Sequence, residues 1–206
     1  MAIVIDASDV LTNKKSLPIE GFFVDTNILI YYKDPFSASL NNPRLTNLNT
    51  KITDFLNRPN SSGIKGYSSL SVAIEFYKFL QVGYFKTQFP NTKFSTESFK
   101  KAKYNDENFR NGFSIYFTYF KKYFKKDFPL TSINSSGLDY ISDFDVIKSD
   151  FGDHALLKAV LAHDKKLHGI FTGDSDFYNY SEDFYLITFN NSIIKMAVTD
   201  NKIWKS

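Results

Sequence analysis

Phe22-Phe23-Val24-Asp25-Thr26-Asn27 is the stretch of this 206-residue chain that decides its fold. Three apolar residues directly precede Asp25. The next apolar positions, Ile28, Leu29 and Tyr32, recur at helical spacing. The stretch therefore predicts a strand, a turn and a helix, with a carboxylate at the junction.

Similar apolar runs predict the remaining elements. A second short strand is expected at 67–70, followed by a helix whose apolar face carries Glu75. An amphipathic helix is expected at 153–164, and two further strands are expected at 168–172 and 184–189. Short apolar strands that alternate with helices predict an α/β fold. We expect a three-layer α/β/α sandwich around a mostly parallel central sheet.

Length and composition narrow the class of protein. The chain is long enough for one domain with a sizeable core, and we expect a single domain over 1–206 with a helical insertion at 81–140. It has no cysteine, which excludes disulfides, thiol catalysis and zinc–thiolate sites. No apolar run approaches the roughly 20 residues that cross a bilayer.

Asp6 and Asp9 interrupt the only apolar stretch at the start of the chain, which makes that stretch a poor signal peptide. We therefore expect a cytoplasmic protein without a membrane partner.

Charge is distributed unevenly along the chain. The segment 86–126 contains ten basic and three acidic residues, whereas 127–206 contains twelve acidic residues and seven lysines. An acidic site beside a basic segment suits an enzyme that holds a metal ion in one place and a polyanion in another. For a basic run taken by itself, a solvated helix face is the simpler explanation.

Four acidic residues lie where an apolar strand meets a loop or helix: Asp25, Glu75, Asp153 and Asp174. Residues just past the carboxyl ends of parallel strands converge on one crevice. Carboxylates brought together there resist full ionisation, and a divalent cation removes that conflict. Mg²⁺ and Mn²⁺ prefer carboxylate and water ligands. The pattern predicts a metal site of the kind that hydrolyses phosphoesters.

The order and flanks of these acids resemble the motifs of the PIN-domain ribonucleases. Val24-Asp25-Thr26-Asn27 before an apolar helix is similar to the opening motif of that family, and Glu75 is similar to its second acid. Asp153-His154-Ala155-Leu156-Leu157 resembles the third acid at the head of an apolar helix. Thr172-Gly173-Asp174-Ser175-Asp176-Phe177 resembles the final motif. The resemblance implies a metal-dependent endoribonuclease, most often the toxin of a toxin–antitoxin pair of the VapC kind, with RNA as substrate and an antitoxin protein as partner.

Phosphodiester hydrolysis assigns a role to each acid. Asp25 binds or bridges the ion, and Asp153 and Asp174 complete its ligands directly or through water. Glu75 orients a water molecule and accepts its proton. Asp176 binds a second ion or orients the other ligands.

Three further residues are expected to support the acids. Asn27 positions Asp25 or caps its helix, and Thr172 hydrogen-bonds a carboxylate or phosphate. Asp150 precedes Asp153 by three residues and could replace it as the third acid.

Simpler explanations exist for single acids. Asp25 and Asp153 each suit a helix N-cap, and Glu75 could be an ordinary surface residue. Asp6, at the end of another apolar run, is a rival for the first acid. Asp25 is preferred because Asn13 and Pro18 interrupt any apolar helix after Asp6, whereas an apolar helix follows Asp25.

The middle segment, residues 81–140, departs from the family pattern because it is longer than the pattern needs. Within it, aromatic residues recur at spacings of three and four beside four lysines: Phe113, Tyr116, Phe117, Phe120 and Phe124, with Lys121, Lys122, Lys125 and Lys126. These residues could form an RNA-binding ledge, with lysines on phosphates and aromatics on unpaired bases. Helical spacing predicts equally well a core-facing aromatic stripe with lysines outside. The same stripe could also bind an antitoxin or a second copy of the chain.

Two other functions compete with the ribonuclease. One is a non-catalytic RNA- or protein-binding module in which the acids are structural. The other is a phosphatase with an aspartyl nucleophile, which usually carries Asp-x-Asp at its first motif. Here Asn27 occupies the second position of that motif.

Overall fold

The computed structural model describes residues 1–32, 36, 43–57, 64–131 and 151–205. Within them lies a five-stranded, all-parallel sheet with the strand order β1-β5-β4-β2-β3. The strands are β1 (Ala2–Asp6), β2 (Gly21–Val24), β3 (Lys65–Tyr67), β4 (Gly169–Phe171) and β5 (Phe184–Thr188).

Helices flank the sheet and complete the predicted α/β/α sandwich, which the structure confirms. They are α1 (Ala7–Leu11), α2 (Thr26–Tyr32), α3 (Pro43–Asn57), α4 (Leu70–Gln88), α5 (Thr96–Asn105), α6 (Glu107–Lys122), α7 (Phe151–Leu161) and α8 (Asn191–Thr199). A π-helical turn (Tyr123–Asp127) continues α6, and two 3₁₀ turns (Lys165–Leu167 and Asp176–Asn179) flank β4. Among the described residues, no helix is both long and apolar enough to span a bilayer.

The central strands are buried because helices cover both faces of a parallel sheet. Every residue of β2 and β4 is buried, and the rings of Phe22 and Phe171 meet edge to face with their centres 6.0 Å apart. The predicted strand–turn–helix at Asp25 is confirmed by β2 and α2. The strands predicted at 168–172 and 184–189 are confirmed as β4 and β5, each one or two residues shorter.

Two predicted elements differ from the structure. The second strand was expected at 67–70 but occupies Lys65–Tyr67, because Ser69 begins α4 by accepting a hydrogen bond from the Val72 N–H at 3.4 Å. The helix expected at 153–164 runs from Phe151 to Leu161. That helix, α7, is also less amphipathic than expected, because it contacts both β4 and α4 and is buried around most of its circumference.

Most of the described part of the middle segment is helical, and its first eight residues belong to α4. Its aromatic stripe faces inward, and both Phe113 and Phe124 are buried. The Tyr77 ring of α4 packs against three rings of the stripe, with ring centres 5.4–6.0 Å apart: Phe113, Phe117 and Phe120. The core-facing interpretation of the stripe is therefore confirmed. The four lysines beside it are exposed. Residues 132–140 lie outside the described residues.

Candidate metal centre

Asp25 lies at the carboxyl end of β2, directly before α2, and is 5% exposed. Its Oδ1 accepts a hydrogen bond from the Thr26 N–H at 2.6 Å. Its Oδ2 accepts two more, from the Thr172 hydroxyl at 2.6 Å and the Asn27 amide at 2.5 Å. Three donors thus hold a buried carboxylate in one orientation.

The environment of Asp25 works against its negative charge. The pKa of the Asp25 carboxyl is raised from 3.8 to about 6, chiefly by burial and to a smaller extent by the nearby charges of Glu75 and Asp174. Hydrogen bonds from Thr172 and the Thr26 backbone oppose the increase. A cation at this position would relieve the cost that burial and like charges impose on the ionised form.

Thr172 and Asn27 join the turn after β4 to the turn after β2. The Thr172 hydroxyl donates to Asp25 and accepts from the Asp174 N–H at 2.9 Å and from the Asn27 amide at 3.1 Å. These bonds use the single donor and both acceptor positions of a hydroxyl group. The Asn27 Oδ1 in turn accepts from the Gly173 N–H at 3.0 Å. Both residues therefore hold the two turns in register, as their predicted supporting role requires.

Glu75 reaches the same edge of the sheet from the second turn of α4. It is half-buried, and its Oε2 accepts a hydrogen bond from the Thr26 hydroxyl at 2.7 Å. Thr26 thus contacts Asp25 through its backbone and Glu75 through its side chain. The sequence pattern gave no sign of this link, because it joins residues 49 positions apart in the chain.

Asp153, Asp174 and Asp176 form an acidic triad. A carboxylate oxygen from each lies within 4.8 Å of the other two, close enough for one metal ion to be held among them. Asp153 lies in the first turn of α7, and the Asp174 Oδ1 accepts a hydrogen bond from the Asp176 N–H at 3.1 Å. A donor set made only of carboxylate oxygens fits a hard divalent cation such as Mg²⁺ or Mn²⁺.

The acid centre, as we call the five residues Asp25, Glu75, Asp153, Asp174 and Asp176, therefore has two parts. The triad is one part, and the Asp25–Glu75 pair is the other. Thr172 connects them, because it bonds both the Asp25 carboxylate and the Asp174 backbone. Direct metal binding by Asp25 and Glu75 stays a prediction, and Asp150 lies outside the described residues.

Asn190 also holds the turn after β4 in place, and the sequence pattern did not predict this role. Its side-chain amide donates to the Gly173 carbonyl at 2.9 Å, and its Oδ1 caps α8 by accepting from the Ser192 N–H at 3.0 Å. An Asn just before an apolar helix is a readable N-cap signal. Its bond to the turn after β4 depends on the tertiary structure.

The rival first acid, Asp6, does not join the acid centre. It caps α1 by accepting a hydrogen bond from the Ser8 N–H at 2.8 Å. Its strand, β1, lies at the edge of the sheet, and β5 separates it from β4. The choice of Asp25 over Asp6 agrees with this arrangement.

No family model matches this chain, and no curated protein sequence matches it. The resemblance to PIN-domain ribonucleases therefore rests on the motifs alone and stays a prediction.

Proposed function

We propose that this protein is a metal-dependent endoribonuclease that hydrolyses phosphodiester bonds of RNA. The observation that carries the proposal is the acidic triad, which lies beside Asp25 and Glu75 at the carboxyl edge of a parallel sheet. This edge is where open α/β sheets bind their ligands. Asp153, Asp174 and Asp176 would hold Mg²⁺ or Mn²⁺, with Asp25 beside them as a further ligand.

The ion, when bound, would neutralise phosphate charge and lower the pKa of the attacking water. The chain's own residues have separate tasks. Asp25 is held by three hydrogen bonds, so it can keep a fixed position without a cost of reorganisation during the reaction. Glu75 is less buried and held through only one described oxygen, so it suits the acceptance of a proton from water.

The basic middle segment supports a polyanionic substrate. Lys125 and Lys126 are exposed on the π-helical turn after α6. The chain then returns to the carboxyl end of β3, where the Thr131 N–H donates to the Ser68 carbonyl at 3.1 Å. This is the sheet edge that carries the acid centre. Together with Lys121 and Lys122, these lysines would contact RNA phosphates.

The toxin role, with an antitoxin partner and assembly into homo-oligomers in the cytoplasm, is the more specific part of the proposal. Leu70 and Ile74 support a protein partner, because they are 60% and 48% exposed on the first two turns of α4, which also carry Glu75. A partner that covered them would lie next to the acid centre.

The aspartyl phosphatase is the weaker alternative. A nucleophilic carboxylate must present an oxygen to the substrate. Both Asp25 oxygens accept hydrogen bonds, and the residue is 5% exposed. The nearby like charges of Glu75 and Asp174 decide between the two, because they favour a cation at Asp25 and oppose the approach of an anionic phosphate ester.

The test is cleavage of end-labelled single-stranded and structured RNA with Mn²⁺, with Mg²⁺ and with a chelator. We expect cleavage only with the metal ions, and a loss of at least about 100-fold in Asp174→Asn, the scale seen when one group that stabilises transition-state charge is removed. Asp54→Asn is the matched control, because Asp54 is an exposed acid on α3. Cleavage that persists in the chelator, or that Asp174→Asn retains in full, would refute the proposal.

A further inference from the structure

A small cavity lies next to the acid centre. It has a volume of about 240 Å³ and is enclosed by α2, α3 and the carboxyl ends of β4 and β5. Tyr31, Leu48 and Phe189 contribute to its apolar wall, and its polar rim comes from the turns after β4 and β5. We propose that this cavity binds one unpaired base of the RNA, beside the phosphodiester that is cleaved. This inference rests on the proposed ribonuclease function.

The cavity and the acid centre share residues. Thr172 and Gly173 line the cavity, and the Thr172 hydroxyl is 2.6 Å from the Asp25 Oδ2. Asp174 of the triad is the next residue along the chain. A group in the cavity would therefore lie beside the carboxylates that would hold the metal ion at the scissile phosphate, as a neighbouring part of the same substrate would.

Size and charge select the occupant. A volume of 240 Å³ is below the roughly 300 Å³ at which pockets begin to enclose drug-sized molecules, so one flat ring system fits better than a whole nucleotide. The described lining residues are neutral at pH 7, and the nearby carboxylates disfavour a second phosphate. Aromatic and aliphatic walls favour a planar, uncharged group. A nucleobase has this chemistry, and proteins bind unpaired bases on such surfaces.

Asn190 gives the cavity a means to read the edge of a base. One amide hydrogen is bonded to the Gly173 carbonyl, and one Oδ1 lone pair accepts from Ser192. An Asn side chain has a second hydrogen and a second lone pair. A neighbouring donor and acceptor can pair with the polar edge of a base, as Asn does with adenine in nucleic acid grooves. We therefore expect the cavity to discriminate among the four bases.

The test fills the cavity and leaves the acids unchanged. Leu48 is half-buried, so Leu48→Trp can place a ring in the cavity without opening the core. Thr50→Trp is the matched control, because Thr50 is exposed on the same helix. Short single-stranded oligoribonucleotides of each base, and one with a single abasic position, would be titrated by fluorescence anisotropy. Binding would be measured in an Asp174→Asn background with Mn²⁺ to keep the RNA intact, and cleavage sites would be mapped with Asp174 present.

We expect Leu48→Trp to weaken binding of the preferred base by about tenfold, within the range measured for loss of one stacked base. It should also remove the base preference at the cleavage site. The effect should disappear for the abasic RNA, and Thr50→Trp should bind all RNAs like the parent. Leu48→Ala, which keeps the cavity open, should retain the preference even if overall affinity falls.

One result would overturn the base site: a Leu48→Trp protein that is folded, as shown by circular dichroism, and whose RNA affinity and cleavage pattern match those of the control. That result leaves Mn²⁺-dependent cleavage, and so the proposed function, intact. Conversely, a parent protein that binds bases through Leu48 but never cleaves RNA would refute the proposed ribonuclease function and support the base-binding site.

Discussion

The acid centre and the middle segment are held in place by different forces. Hydrogen bonds from Thr26, Asn27 and Thr172 orient the carboxylate of Asp25 at the edge of the sheet. In the middle segment, aromatic rings pack α6 against α4, and Gly112 lets the Tyr84 hydroxyl approach the α6 backbone closely. Hydrogen bonds between polar groups therefore fix the positions of the acids, whereas packing of aromatic rings stabilises the middle segment and leaves its lysines exposed.

The largest expected effect lies in the aromatic region. Phe113 is 4% exposed, and the centre of its ring lies 5.6 Å from that of Tyr84 and 5.0 Å from that of Phe99. Phe113→Ala should lower the free energy of unfolding by about 3–5 kcal/mol, because it removes a buried ring and leaves a cavity. Urea denaturation measures this change. Ile115→Ala, at a position 58% exposed on the same helix, should change it by less than about 0.5 kcal/mol.

The same pair of variants shows whether the two regions are separable. At a temperature where both proteins are folded, Phe113→Ala should retain the metal-dependent cleavage of the parent. A large loss of cleavage in folded Phe113→Ala would mean that the aromatic packing also positions the acids.

The next effect concerns the acid centre and pH. The folded-state pKa of Asp25 is about 6, above its unfolded value of 3.8, so the folded protein binds a proton more tightly than the unfolded chain. Without metal ions, stability should therefore fall as pH rises from about 4 to above 6, by at most about 3 kcal/mol from this residue. Asp25→Asn removes that dependence. Urea unfolding in chelator at several pH values measures it.

The control for this prediction is Asp54→Asn, which should follow the pH dependence of the parent protein. If Asp25→Asn and the parent differ in stability by the same amount at all pH values, burial does not raise the pKa of the Asp25 carboxyl.

The smallest effect concerns the exposed lysines. Charge reversal at Lys121 and Lys122 should weaken RNA binding severalfold at low salt, and less at high salt, because counterion release and screening depend on ionic strength. Filter binding over a salt series measures the change. The same reversal at Lys100 and Lys101, which are exposed on α5, is the control. Equal losses in both pairs would indicate a general charge effect, and no loss would favour a solvated helix face.

Much of the fold was predictable from local pattern. The run that ends at Asp25 and the run that ends at Thr172 both became buried strands followed by turns, because short apolar runs between turn residues are typical of parallel strands. The predicted end of β3 was wrong. Leu70 is apolar and was assigned to the strand, but Ser69 caps a helix that begins at Leu70 by accepting a hydrogen bond from the Val72 N–H. Leu70 is in fact 60% exposed.

The acid centre was predictable in membership but not in arrangement. Asp153, Asp174 and Asp176 were all predicted as metal-binding residues, and the structure brings them together. Their separation from the Asp25–Glu75 pair was not predictable, because it depends on hydrogen bonds between residues far apart in the chain, such as Thr172 with Asp25. The Asn190 bond to Gly173 was missed for the same reason.

The sequence alone predicted the strands β2 to β5, the helices α2, α4 and α7, the class of the fold and the carboxylates at the strand ends, because these follow from short-range periodicity and turn chemistry. The tertiary structure alone decided the rest. In the tertiary structure β2 pairs with both β3 and β4, the aromatic stripe of the middle segment faces inward, and the cavity forms beside Thr172. These features arise from contacts between distant segments, which no local pattern encodes, and they give the candidate site its geometry.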